Sequence, residues 1–174
     1  MEVVNPYIVT RHGHKIHFLK PQVSEIDIRD ICHALSTLAR FNGHTIKPYF
    51  VAQHVCICSD HAPEDCKCEA IAHDFGEFAT SDVNAPLKSL LPQYVEIEAR
   101  LERVIARRFG YRYPYPPGVK EVDMRLLCTE IRDLTHRKDW KDYPFAPLDE
   151  RIVPWDTAKC QREFMKRFRR LFQT

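Results

Sequence analysis

The residues with the most evident chemical potential lie between positions 51 and 82, in the stretch VAQHVCICSDHAPEDCKCEAIAHDFGEFATSD. Histidine, cysteine and carboxylate side chains are the usual protein ligands of divalent metal ions. Two different metal sites can be written from this stretch. One is a thiolate site made of Cys56, Cys58, Cys66 and Cys68, and the other is a His/Asp site made of His54, His73 and Asp74.

The spacing of the cysteines disfavours the thiolate site. Structural zinc sites usually separate paired cysteines by about two to four residues, whereas each pair here is separated by one. On a helix, two such cysteines point about 200° apart. The chain has seven cysteines, an odd number, and its start MEVVNPYIVTRHGHK has no secretory signal. The sequence therefore predicts reduced thiols that serve as small core residues.

The His/Asp set gives each residue a chemical role. Imidazole and carboxylate ligands suit divalent ions such as Mn, Fe, Co, Ni or Zn and leave positions for water and a phosphate oxygen. Adjacent residues on a helix diverge by about 100°, so His73 and Asp74 can flank an ion only if neighbouring helices close the other side. His54 and an acid farther along the chain could do this. The residues alone leave open whether the histidines are ligands or satisfied core groups.

The elements that must position these residues are predicted to be helices. Ser24 can cap a helix over residues 24–41, and Gly110 can end a helix that begins near residue 93. Apolar residues spaced by three and four also predict helices over residues 49–60, 63–78, 119–134 and from about Asp156. We therefore expect one all-α domain with a bundle of about six helices over residues 24–174. Residues 1–23 form a short strand or an extended N-terminal arm, which GHK can turn.

Composition limits the classes of protein to which the chain can belong. It is 44% hydrophobic with a net charge of +2, and its apolar runs are far shorter than the roughly 20 residues of a membrane span. We expect a cytoplasmic protein with no targeting segment. The basic tail KCQREFMKRFRRLFQT could contact nucleic acid, but Phe164, Phe168 and Phe172 recur every four positions, which favours helix packing with a solvated basic face.

Three segments together resemble a known family: RFNGHTIKPYFVAQHV, EAIAHDFGEFATSDVNAPLK and VKEVDMRLLCTEIRDL. The chain is similar to the HD-domain metal-dependent phosphohydrolases, in particular the branch with bacterial 5′-deoxynucleotidases and phage dATP triphosphohydrolases. The likeness runs from about residue 24 to the C-terminus. It implies an HD-domain helical bundle, a bacterial or phage source and a homo-oligomer without nucleic-acid or membrane partners.

The resemblance also implies roles for individual residues. The family's metal ligands correspond to His54, His73, Asp74 and Asp123. Glu77 corresponds to the catalytic acid, which acts beside Asp74 on a water activated by the metal ion.

Further residues are implied or suggested at the substrate. Asp82 corresponds to an acid at the nucleotide site, and Arg40 and Phe41 correspond to an Arg-aromatic pair for phosphate and for stacking. Phe41 stands where the better-known deoxynucleotidases have tryptophan. His44 and Lys88 each follow a helix break next to a motif, which makes them candidates for holding phosphate oxygens.

The expected activity is hydrolysis of a deoxynucleoside triphosphate, with dATP as the first substrate and triphosphate as a product. The expected cofactor is one divalent ion: Co, Mn, Zn, Ni or Mg. A 5′-deoxynucleotidase that acts on deoxynucleoside monophosphates is the alternative within the family. A helical module that binds a nucleotide without hydrolysing it, or that binds nucleic acid, is the alternative from another class.

Overall fold

Eight α-helices and one two-stranded sheet make up the regular structure of residues 5–173, the part of the chain that the computed structural model describes. The helices are α1 (Ile28–Leu35), α2 (Val51–His61), α3 (Lys67–Ala72), α4 (Glu77–Thr80), α5 (Ala85–Lys88), α6 (Pro92–Phe109), α7 (Pro117–Leu134) and α8 (Thr157–Phe172). The predicted all-α class is confirmed. The helices beyond the expected six include α4 and α5, which are single turns. The first four residues of the predicted arm, and Thr174, lie outside the described residues.

The N-terminal segment forms a β-hairpin. Strands β1 (Tyr7–Val9) and β2 (Lys15–His17) pair antiparallel, and the turn between them contains Gly13 at a φ of 85°. Glycine adopts this left-handed conformation without the steric cost that a Cβ would bring. The predicted strand and its turn at GHK are therefore confirmed.

The hairpin is joined to α1 by hydrogen bonds to one buried carboxylate. His12 and His14 each place Nδ1 2.6 Å from a carboxylate oxygen of Asp30, which is almost completely buried. Thr10 donates a further hydrogen bond to the same carboxylate. These histidines thus have a structural role, and they do not form a metal cluster of their own within residues 5–173.

Helix α1 is shorter than predicted. Its N-cap is Asp27, whose side chain accepts a backbone N–H of the first turn, whereas Ser24 lies in a preceding 3-10 turn. At the other end, α1 stops at Leu35, and Ala39 then pairs with Phe50 in an isolated β-bridge. The predicted helix over residues 24–41 is therefore wrong at both ends. Phe41 and Asn42, which adopt left-handed φ values of 55° and 51°, lie beyond the helix.

Helix α2 lies at the centre of the molecule and is buried on nearly all sides. It packs against α3, α7 and α8. On the outer side, Phe164 and Phe168 of α8 are buried in the core, and both rings contact Phe75. The predicted packing face of the basic tail is confirmed. Because α2 is buried on nearly all sides, the polar side chains on its buried faces must find partners within the protein.

The predicted helix over residues 63–78 is interrupted. Helix α3 ends at Ala72, residues 73–76 form a turn, and α4 begins at Glu77. Gly76 allows this turn to approach α6, because a Cβ at that position would lie 2.4 Å from Glu102 Oε1. The backbone N–H of Gly76 donates to the same oxygen at 2.8 Å. The carboxylate of Glu102 therefore holds the turn in place.

Burial raises the pKa of Glu102 to about 8. A carboxyl group whose pKa rises on folding binds more protons in the folded state, so its contribution is complete below its unfolded pKa and is lost as pH rises through about 8. We expect the free energy of unfolding of the wild type to fall by up to about 4 kcal/mol between pH 5 and pH 8 from this group.

Urea denaturation at several pH values measures this effect. Glu102→Gln keeps an acceptor for Gly76 but cannot ionise, so its pH profile is expected to be flatter than that of the wild type. The control is Glu96→Gln, an exposed position of the same helix. Equal slopes in wild type and Glu102→Gln would contradict the expectation.

The observed end of α6, the start of α8 and the reduced state of the cysteines agree with the predictions from the sequence. Gly110 ends α6 at a φ of 77°, and the side chain of Asp156 caps α8. All seven cysteines are free thiols within the described residues, and only Cys68 is partly exposed. Over residues 5–173, no helix has both the length and the apolar composition that crossing a membrane requires.

Candidate metal centre

Four side chains from separate elements converge beside the central helix. His54 comes from α2, His73 from the C-terminal end of α3, Asp74 from the following turn and Asp123 from α7. The Nε2 atom of His54 lies 3.2 Å from Nε2 of His73, 3.4 Å from Asp123 Oδ1 and 3.5 Å from Asp74 Oδ2. The structure thus brings together all four residues that the resemblance assigns as metal ligands.

The two imidazoles are oriented so that Nε2 faces the centre. His73 Nδ1 lies 2.8 Å from the carbonyl oxygen of Ala70, and His54 Nδ1 lies 2.7 Å from Glu130 Oε1. Because a carbonyl oxygen can only accept, His73 Nδ1 must carry the proton, and neutral His73 presents a lone pair at Nε2. A carboxylate or carbonyl on the far nitrogen is the usual support of a metal-binding histidine.

Glu130 connects the centre to Arg40. Its side chain is completely buried on α7, and its second oxygen accepts from Arg40 Nη2 at 3.0 Å. Burial acts to raise the pKa of Glu130, but Arg40 and His54 outweigh burial and hold that pKa below its usual value. Arg40 Nη1 also reaches Asp74 at 3.5 Å. The guanidinium is therefore fixed between two acids.

The centre favours positive charge. Burial and the guanidinium of Arg40 act to lower the pKa of His54, yet Cys58, Glu130 and Asp123 outweigh them and the pKa lies well above its usual value. Burial acts to raise the pKa of Asp123, but the two histidines and a nearby lysine hold it far below its usual range. In the absence of a metal ion, a proton on imidazole balances the acids. A divalent cation that binds here would displace that proton.

Glu77 is buried at the first position of α4, beside the same centre. Its Oε2 atom has no hydrogen-bond partner within residues 5–173. Burial, and next the charges of Asp74 and Asp82, raise the pKa of Glu77 well above its usual value. Burial also raises the pKa of Asp82, with Asp74 acting in the same direction. A buried acid with a raised pKa beside a cavity is typical of a group that exchanges protons.

A cavity of about 750 Å³ opens directly onto this centre. Its volume lies within the usual range for a small-molecule site, which is roughly 300–1,000 Å³. Six predicted catalytic and substrate residues lie outside the centre, and all but one of them line the cavity. The five that do are Arg40, Phe41, Glu77, Asp82 and Lys88. The exception is His44, which is exposed and lies outside the lining of the cavity, so its substrate contact stays a prediction.

The lining residues that were not predicted from the sequence include two cationic side chains and a tyrosine. Lys120 lies 2.8 Å from Asp123 Oδ2, one helical turn before it on α7. Arg137 and Tyr143 reach the same cavity from the segment that follows α7. The spacing of Lys120 from Asp123 is a usable sequence signal, whereas the other two depend on the path of an irregular segment.

Lys88 is less available than its sequence position suggests. Its Nζ atom lies 2.7 Å from Glu98 Oε1, and the ammonium group lies 5.5 Å from the centre of the Tyr94 ring. It lines the cavity from α5 while paired to α6. A phosphate would have to compete with Glu98 for this charge.

Cys58, which its spacing predicted to be a core thiol and not a metal ligand, also lies at the centre. Its side chain is completely buried, and its sulfur lies 3.7 Å from Nε2 of His54. Within the described residues, one donor atom from each of four side chains lies within 4.8 Å of the others: His54, Cys58, His73 and Asp123. The other cysteines of the opening stretch are outside this group, so the four-thiol alternative is not formed.

Comparison with other proteins identifies two relatives of the chain. It is 34% identical over 166 residues to the uncharacterized protein YfdR of Escherichia coli K12, and the match covers 93% of each chain. It is 30% identical over 118 residues to an uncharacterized protein of Rhodobacter capsulatus, covering 62% of this chain and 60% of that protein. No protein-family model matches the chain. Neither relative's name states an activity, so a functional assignment must come from the site.

Proposed function

This chain belongs to the family of Escherichia coli YfdR. On the basis of its site, we propose that it is an HD-domain phosphohydrolase that uses a divalent metal ion to hydrolyse deoxynucleotides. The main support is the pair of imidazoles whose Nε2 atoms face each other at 3.2 Å, each held from behind by an acceptor at Nδ1. Two carboxylates close the same centre. Once a cation displaces the proton on His54, each imidazole would direct its Nε2 lone pair at that cation.

The donor set fits a divalent ion. Nitrogen and oxygen donors from His54, His73, Asp74 and Asp123 would hold Co, Mn, Zn, Ni or Mg. A divalent ion of this kind, when bound, acts as a Lewis acid that lowers the pKa of water and offsets the negative charge of phosphate. The Oε2 atom of Glu77 is buried beside these donors and has no partner among residues 5–173, which supports a site that is completed by a ligand.

The chain's own residues supply positioning and proton transfer. Glu77 receives the proton of the attacking water, since it lines the cavity beside Asp74 and has an oxygen with no partner in the described part of the chain. Arg40 offsets charge on the phosphoryl group, and Glu130 keeps its guanidinium oriented. Phe41 offers a ring on which base or sugar can stack, and Asp82 offers an acceptor for a sugar or base group.

A deoxynucleoside triphosphate, first of all dATP, is the proposed substrate, and attack at its α-phosphorus releases triphosphate and the deoxynucleoside. Cationic side chains on the cavity wall support a ligand with several phosphates: Arg40, Lys88, Lys120 and Arg137. A 5′-deoxynucleotidase acting on deoxynucleoside monophosphates is the alternative, because the same site would then release inorganic phosphate.

The proposed setting is the cytoplasm of a bacterium or of a phage-infected cell, with the protein as a homo-oligomer. Buried free thiols support a reducing compartment. Exposed apolar side chains near the cavity support a contact between copies. They lie on α5, on the link that follows it and on the first turn of α6: Leu87, Leu90, Leu91 and Val95. Neither nucleic acid nor a membrane is proposed as a partner.

Asp74→Ala is expected to lower the rate of hydrolysis by at least about 100-fold, because it removes a donor of the centre. The test incubates the protein with dNTPs, NTPs and monophosphates in the presence of Mn, Co, Mg or Zn, and separates phosphate, pyrophosphate and triphosphate. The matched control is Glu121→Ala, an exposed acid on α7, which should retain wild-type rates.

Three outcomes would count against the proposal. Wild-type rates in Asp74→Ala would show that the metal ligands are wrongly assigned. Absence of turnover with every nucleotide and metal would favour a module that binds nucleotides without hydrolysing them. Binding of DNA that weakens steeply with salt would favour the nucleic-acid-binding alternative.

A further inference from the structure

We propose that Cys58 is a ligand of the metal centre, so that the ion is held by a thiolate as well as by imidazole and carboxylate. The inference rests on the metal centre of the proposed function but adds to it a donor that the resemblance does not include. Its consequence is metal selectivity, because thiolate favours Zn, Co and Fe over Mg and Mn.

The distances fit shared coordination. Metal–sulfur and metal–nitrogen bonds of about 2.3 Å and 2.0 Å, at a tetrahedral angle, separate the two donor atoms by about 3.5 Å. The Cys58 sulfur lies 3.7 Å from His54 Nε2. Two nitrogen ligands at the same angle are about 3.3 Å apart, and the observed Nε2 separation of His54 and His73 is 3.2 Å. Donor atoms of these three side chains lie within 4.8 Å of one another, which allows one ion to contact the sulfur and both imidazoles.

Helix α2 explains why this cysteine reaches the centre. Cys58 follows His54 by four residues, so the two side chains project from the same face one turn apart. Cys56 projects from another side of the helix, and its surroundings include Arg167 and Cys160 of α8. Because cysteines two positions apart point in different directions, Cys56 and Cys58 cannot both reach the centre. Cys58 is the one of the two that lies on the face of His54.

Asp74 is not a member of the group of four mutually close donors. Its Oδ2 atom lies 3.5 Å from the guanidinium of Arg40. Cys58 and His54 are the two members of that group that are completely buried. The Cys58 thiolate would occupy a coordination position that water would otherwise hold. When it binds, the S–H bond breaks, the proton leaves to solvent and a sulfur–metal bond forms.

Cobalt(II) spectroscopy tests this inference without measuring activity. The full-length protein is freed of metal with a chelator and titrated with Co²⁺, and the near-ultraviolet sulfur-to-cobalt charge-transfer absorption is recorded together with the visible bands. The wild type is compared with Cys58→Ser, and the matched control is Cys56→Ser, a buried thiol on the same helix.

We expect the charge-transfer band in the wild type and in Cys56→Ser, and its loss in Cys58→Ser together with a drop of tenfold or more in cobalt affinity. A wild type that binds cobalt without the band, or does not bind cobalt, would overturn the inference even if the serine variants fail to fold. A band that persists in folded Cys58→Ser would do the same.

The two proposals fail separately. A cobalt complex with the sulfur band but no nucleotide hydrolysis under any condition keeps the ligand assignment and removes the proposed activity. Nucleotide hydrolysis by a protein whose cobalt complex lacks the band removes the Cys58 assignment alone.

Discussion

Glu77→Gln is expected to lower the rate constant for nucleotide hydrolysis by about 10²- to 10⁴-fold while leaving metal affinity nearly unchanged. Glutamine has almost the same shape as glutamate but cannot accept the proton of the attacking water. Glu77 is buried, lines the cavity and has an oxygen without a partner within residues 5–173. Steady-state kinetics with the most active nucleotide and metal, together with a cobalt titration, measure both quantities.

The separation of rate from metal affinity is the informative result. The control is Glu64→Gln, which should match the wild type. Glu64 is an exposed acid that precedes Glu77 in the stretch from residue 51 to residue 82. If Glu77→Gln hydrolyses at the wild-type rate, Glu77 does not transfer the proton. If it loses cobalt as strongly as Asp74→Ala does, then Glu77 is a metal ligand and its assigned role is wrong.

Glu130→Ala is expected to destabilise the protein by about 3–5 kcal/mol, because it leaves buried positive groups without their partner. Glu130 accepts from His54 Nδ1 at 2.7 Å and from Arg40 Nη2 at 3.0 Å, and its side chain has no exposed surface. Removing the support of His54 should also weaken metal binding by about 10- to 100-fold. Urea denaturation and cobalt titration measure the two effects.

Glu130→Gln provides a graded comparison, because its amide oxygen can still accept from one of the two donors. It should lose less stability than Glu130→Ala, and Glu121→Ala on the exposed side of α7 should change stability by no more than about 0.5 kcal/mol. A loss below about 1 kcal/mol in Glu130→Ala would mean that Arg40 and His54 find other partners, and the assigned support role would be wrong.

Local sequence patterns were sufficient where an element depends on its own residues. Helix α6 carries a long apolar stripe and a glycine at its left-handed end, and α8 has a side-chain cap at Asp156. Both were predicted nearly as the structure has them. The break between α3 and α4 was not predicted, because it depends on the approach of Glu102 from another helix to Gly76. A contact between elements leaves no periodic signal in either one.

The same limit applies to the site. The resemblance placed His54, His73, Asp74 and Asp123 in one centre, and the structure brings them together. Glu130 was missed although it follows Asp123 by seven residues and therefore lies on the same face of α7 two turns later. It occupies a buried position where a periodic pattern predicts an apolar residue. Only its pairing with two groups from other elements makes a buried carboxylate favourable there.

The left-handed residues that follow α1 contribute to the cavity at a cost in stability. Phe41 and Asn42, with φ values of 55° and 51°, each hold a backbone conformation that costs an L-residue on the order of 1 kcal/mol, and Gly43 follows at 79°. A glycine at position 41 would relieve that strain but remove the ring from the cavity wall. Selection for thermostability alone should therefore replace the aromatic residue beside Arg40. Retention of that residue in an evolving population would indicate selection for ligand binding.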